Sequence, residues 1–139
     1  MPVDYRYLNE GRGVVYTASG RLTGAELVAA HARVNTPALT ERPVFYAFLD
    51  LDHITAADIS VNELRDIADQ AIRASRYSPV KRVIAIYAKD DLTFALGRMW
   101  QVFVEQTGYE CAIFRERYEA VSWVRQRAAE RFGIDVPLE

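Results

Sequence analysis

The chain has 139 residues, half of them apolar and about a quarter charged, which is enough for one hydrophobic core and too little for two. Its formal net charge of −2 comes from acids and bases mixed along the whole length, so no basic stripe is present to neutralise a nucleic-acid backbone, and no nucleic-acid partner is expected. No basic segment leads into an apolar run at Met1-Pro2-Val3-Asp4-Tyr5-Arg6, no stretch reaches the roughly eighteen apolar residues of a membrane span, and Cys111, His31 and His53 make neither a disulfide nor a metal cluster. The expectation is a cytoplasmic protein without membrane insertion, structural metal or cofactor.

Residues 3 to 8 and 12 to 19 read as two strands of a hairpin around Asn9-Glu10-Gly11, closed by Gly20. Thr23 then caps a helix, with Glu26 three residues on and Leu27, Val28, His31 and Val34 on its apolar flank, until Pro37 forbids continuation. The nearly continuous apolar run from Pro43 to Leu51 predicts a strand covered on both faces. From Val61 to Ile72 the residues Val61, Leu64, Ile67, Ala68, Ala71 and Ile72 recur at helical spacing, and Ser75 to Pro79 ends that helix. A second buried strand lies in 80 to 88, a third helix runs from about Asp91 to Thr107 and stops at Gly108, and Tyr109 to Phe114 is a short strand. The last helix spans Tyr118 to Phe132 with Val121, Val124 and Ala128 inward, and residues 133 to 139 are expected to be a flexible carboxyl-terminal tail. This alternation predicts a single-domain α/β fold over residues 1 to 132, with a mixed, mostly parallel five-stranded sheet and about four helices.

The end of the central strand reads Asp50-Leu51-Asp52-His53-Ile54-Thr55-Ala56-Ala57-Asp58-Ile59-Ser60. It resembles the signature region of the STAS superfamily, the domain of bacterial anti-sigma-factor antagonists, in which a strand ends in Asp-Leu and an Asp-Ser-Ser-Gly turn begins the next helix. The run Phe94-Ala95-Leu96-Gly97-Arg98-Met99-Trp100, with Phe114, Ala120 and Trp123, is similar to the SpoIIAA-like branch of that superfamily. The resemblance covers nearly the whole chain and implies a regulatory protein that acts by binding a protein partner. It puts Ser60 on the regulatory phosphoacceptor and Asp58 on the aspartate before it. Ile59 stands where the family has its first serine and Val61 where it has glycine, so bulky apolar side chains flank this turn. Ser60 also has a purely structural reading: Ser60-Val61-Asn62-Glu63 is a capping box, in which the hydroxyl accepts from the Glu63 amide and the Glu63 carboxylate reaches back.

Asp50-Leu51-Asp52 after an apolar strand, with Asp90-Asp91 after a later one, also resembles the acids of haloacid-dehalogenase-type phosphatases: one carboxylate attacks phosphorus, the second moves the proton, and magnesium neutralises charge. That family carries its motif on the first strand, and no convincing lysine-bearing segment lies between the two acid pairs here. A receiver-domain reading lacks the acid pair after the first strand, and no glycine-rich phosphate loop occurs. His31 has no nucleophile and orienting group beside it in the sequence, His53 sits among carboxylates in a loop, and Cys111 lies in an apolar strand. On the third helix Leu92, Ala95, Leu96, Met99, Val102 and Phe103 form an inward stripe, leaving Phe94, Trp100 and Val104 as a candidate interaction or ligand surface. The reading is a binding protein with no catalytic residues, its partner a protein, a second copy of itself in a homodimer, or an apolar small molecule or lipid. A magnesium-dependent phosphatase ranks last.

Overall fold

The computed structural model describes residues 3–36 and 42–139. Strands β1 (Val3–Leu8) and β2 (Gly13–Thr23) form the antiparallel hairpin, and the remaining strands β3 (Tyr46–Asp58), β4 (Val83–Tyr87) and β5 (Glu110–Phe114) continue parallel to β2. Strand order in the sheet follows chain order, β1-β2-β3-β4-β5. Helices α1 (Gly24–Asn35), α2 (Val61–Tyr77) and α3 (Asp91–Phe103) are the crossovers, and α4 (Arg117–Phe132) closes the chain. This is the single-domain mixed α/β architecture expected.

Four parallel strands laid down in order by crossovers of one hand must put every connecting helix on the same face of the sheet. Residues of α1, α2 and α3 accordingly pack with Val14, Tyr16, Ala47, Leu49, Ile84 and Ile86 in one core. The alternate residues of the same strands, Val15, Phe48, Ala85 and Tyr87, face the other side, where α4 alone supplies Ala120, Val121, Val124 and Ala128. One helix does not cover that face, and the chain end completes it. Residues 133–139 are not a loose tail: Gly133, in the left-handed conformation at φ 65°, ends α4 and turns the chain back, and Ile134, Val136 and Leu138 are buried at alternate positions. Asn9 Nδ2 donates to the Asp135 carbonyl at 3.0 Å, Arg125 to that of Leu138 at 3.2 Å, and Arg117 to that of Glu139.

Several boundaries differ from the sequence reading. β2 does not stop at Gly20, and β3 does not stop at Leu51; the two run on as a parallel ribbon to the pair Thr23 and Asp58, past the last β4 partner at Asp50. Gly20, at φ 67°, sits within this ribbon beside the irregularities that let it bend. α2 continues through Ser75, whose hydroxyl donates to the Ile72 carbonyl at 2.6 Å, and stops at Tyr77 because Ser78 precedes Pro79 and is extended. α1 ends at Asn35, so Pro37, expected to end it, lies outside the described residues.

Candidate functional site

The long ribbon delivers two helix starts side by side. Thr23, the last residue of β2, caps α1, and its register partner Asp58 is the last residue of β3, two residues before the cap of α2. Thr23 Oγ1 accepts from the Glu26 amide at 3.3 Å. Ser60 and Glu63 form the full capping box: Ser60 Oγ accepts from the Glu63 amide at 3.1 Å, and Glu63 Oε1 accepts from the Ser60 amide at 2.9 Å. A β-carbon on Gly24 would stand 2.3 Å from the Glu63 carboxyl, so that carboxylate rests directly on the first residue of α1. One anionic side chain thus lies against the positive ends of both helices.

Around this point Ser60 is exposed, and Asp58, also exposed, pairs with Arg21 at 2.9 Å. The two departures from the family turn have different structural roles. Ile59 is half-buried and packs onto the core of the helical face, anchoring the segment, whereas Val61 is 46% exposed. Ser60 is therefore accessible while the residue before it is held in place.

The third helix presents a different face from the one expected. Trp100 and Val104 are buried, together with Thr93 and Gly97, whereas Leu92 (58%), Met99 (37%) and Val102 (60%) are exposed, with Ala95 between them. Of the candidate surface Phe94, Trp100 and Val104, only Phe94 reaches solvent, half-buried with the Arg115 guanidinium 4.3 Å from its ring centroid. The cause is Gly97: a β-carbon there would meet Ile113 Cδ1 at 3.2 Å, so the helix sits close to β5 along its smallest residue and turns Trp100 into the core. An apolar stripe, Leu92, Ala95, Met99 and Val102, is left on the outside. An apolar cleft beside Trp100, walled by Ile59, Leu64, Thr93 and Leu96, has a volume of about 40 Å³. Pockets that enclose small organic ligands hold roughly 300 Å³ or more, several times this volume.

The acids of the phosphatase reading have structural partners. Asp50 accepts from the Asp52 amide at 3.1 Å and lies 3.9 Å from Arg117; Asp52 pairs with Lys89 at 3.1 Å, and that contact holds the ammonium above its usual range. Asp90 caps α3 by accepting from the amide and the hydroxyl of Thr93, both at 2.7 Å, which hold its carboxyl below the usual range. Asp91 pairs with Arg115 at 2.7 Å. His53 is exposed on the ribbon, and burial pushes the Cys111 thiol up to about 12. His31 is buried, stacked on the Tyr16 ring at 4.6 Å, with Nδ1 3.0 Å from the Leu27 carbonyl; burial pushes its pKa down to about 4. Among the described residues no group of three His, Cys, Asp or Glu side chains is arranged to hold a metal ion, and no helix is long and apolar enough to cross a membrane.

No family model matches the chain, and no curated protein matches it. Among solved structures it is similar to an uncharacterized protein of the DUF3478 family with a SpoIIAA-like fold from Shewanella loihica PV-4, with a TM-score of 0.53 and 16% identity over 88% of this chain and 91% of that one. A second likeness, with a TM-score of 0.47 and 14% identity over 88% of this chain and 97% of that one, is to the anti-sigma factor antagonist SpoIIAA in its unphosphorylated form. The chain has a SpoIIAA-like fold.

Proposed function

We propose that this domain is a regulatory protein that works by binding a protein partner, in the manner of the anti-sigma-factor antagonists its sequence resembles. The observation that carries the reading is the exposed Ser60 hydroxyl at the first turn of α2, on the segment where the resemblance puts a phosphoacceptor. A fold of the SpoIIAA-like kind supports the same reading. Asp58 and Ser60 form one part of the contact surface, and Phe94 with the outer stripe of α3 forms the other. Ile59, between Asp58 and Ser60, and Leu96 of α3 line one cleft.

Phosphate on Ser60 is the proposed switch. It adds nearly two negative charges beside Asp58 and Glu63, with Arg21 the nearby cation, and repels the Glu63 carboxylate that accepts from the Ser60 amide. Release of Glu63 would remove the carboxylate from Gly24 and change the surface at both helix starts together. The test is affinity capture from the source cells with wild type, Ser60→Ala and Ser60→Asp, together with mass spectrometry of the purified chain. The expected result is a partner held by wild type and Ser60→Ala and lost with Ser60→Asp. Capture of the same partners by all three proteins would overturn the switch, and capture of none would overturn the binding role.

A further inference from the structure

Behind the helical face lies a polar group of residues that neither the cap nor the outer stripe uses. Arg82, the residue before β4, is 8% exposed, and its Nη1 donates to Asn35 Oδ1 at 2.6 Å. Its guanidinium is 5.3 Å from the centroid of the Tyr109 ring. Among the described residues no carboxylate is in salt-bridge range of it. Among the described residues this buried cation is held only by a neutral amide and an aromatic ring, whereas buried charges in folded proteins are paired.

Two further buried atoms nearby are unpartnered: the indole Nε1 of Trp100 and the phenol oxygen of Tyr109. Arg82, Asn35, Trp100 and Tyr109, with Tyr16 and His31, line one small cavity of about 20 Å³. A cavity of that size accepts a single species about as large as a water molecule. Arg82, Trp100 and Tyr109 bring hydrogen-bond donors to its lining, the first of them charged. His31 remains neutral at ordinary pH and adds no charge of either sign.

We infer that this cavity is a binding site for one small inorganic anion of chloride size, held by the Arg82 guanidinium, Trp100 Nε1–H and the Tyr109 hydroxyl. Size excludes phosphate, sulfate and carboxylates, and the charge favours an anion over water. The cavity shares His31, Leu49 and Trp100 with the apolar cleft that opens between α2 and α3, so the route to solvent passes the segment that carries Ile59.

The test uses the full chain with bromide and chloride as probes. Melting temperature is followed as sodium chloride or bromide replaces sodium gluconate at constant ionic strength, and crystals grown in sodium bromide are examined for anomalous scattering. The expected results are a halide-dependent rise in Tm and an anomalous peak within hydrogen-bond reach of Trp100 Nε1. Tyr109→Phe weakens the halide midpoint about tenfold, as loss of one hydrogen bond to a charged group implies, and Arg82→Gln abolishes the response. A Tm indifferent to halide, or a cavity peak with no anomalous signal, would show water alone and overturn the inference. A response unchanged in Tyr109→Phe would do the same by locating the anion elsewhere, and it decides the matter even if Arg82→Gln does not fold.

Discussion

Ser60 serves local structure whatever else it does, because its hydroxyl satisfies an amide that the first turn of α2 leaves open. Ser60→Ala is expected to cost about 1 kcal/mol in chemical denaturation, and Ser60→Asp, itself a capping residue, less than half of that. The pair separates cap from signal: partner loss with Ser60→Asp at near-normal stability is a signalling effect, whereas loss that follows stability is not. His31 gives a second expectation. Its pKa falls from 6.5 in the unfolded chain to about 4 in the fold, so between those values the unfolded state binds more protons and stability rises with pH. Denaturation at pH 7 and pH 4 should differ by roughly 3 kcal/mol through this group, and His31→Phe should flatten the dependence; an equal slope in the variant would refute the assignment. At this scale the sequence revealed what depends on neighbours in the chain. The capping box was legible because its partners are three residues apart, and the Gly24 contact of Glu63 was not, because β2 and β3 must first bring two helix starts together. Arg82 gave no signal at all, since its burial comes from α1, β2 and Tyr109, all remote in sequence.

Among the elements, α2 was legible because its apolar spacing and its packing agree, with Leu64, Ile67, Ala68 and Ala71 all buried. For α3 they disagree. Hydropathy favours Leu92, Met99 and Val102, but the sheet accepts the side that carries Thr93 and Gly97, since small residues allow close approach to β5 and leave room for the Trp100 ring. The two orientations make opposite demands on neighbouring positions. Trp100→Ala should cost roughly 3 to 5 kcal/mol, and Val102→Ser no more than about 0.5 kcal/mol; comparable losses at both sites in urea denaturation would contradict the observed orientation. The ribbon was missed for a related reason. Glycine and the polar residues of 52 to 58 read as a loop, yet β2 and β3 pair through them, and their polar character records exposure on the ribbon rather than lack of a strand.

At the scale of the molecule, sheet order explains the chain end. Three crossovers of one hand commit α1, α2 and α3 to one face, so the aromatic and aliphatic residues Tyr46, Phe48, Val83 and Tyr87 on the other face depend on α4 and whatever follows it. Its place at the chain end made the segment 133–139 look frayed, whereas the alternation Ile134, Val136, Leu138 is that of an extended segment with one buried side. Truncation after Phe132 should therefore remove part of a core rather than an appendage. The shortened chain is expected to lose at least about 2 kcal/mol, the lower end of the cost of emptying one large aliphatic position, and to bind a hydrophobic dye on the uncovered face. Leu138→Ala in the full chain should give a comparable loss, while Glu139→Ala, which removes only a terminal side chain, should leave stability within about 0.5 kcal/mol. A truncated chain as stable as the full one would mean that α4 covers the face alone, contrary to the burial of all three residues.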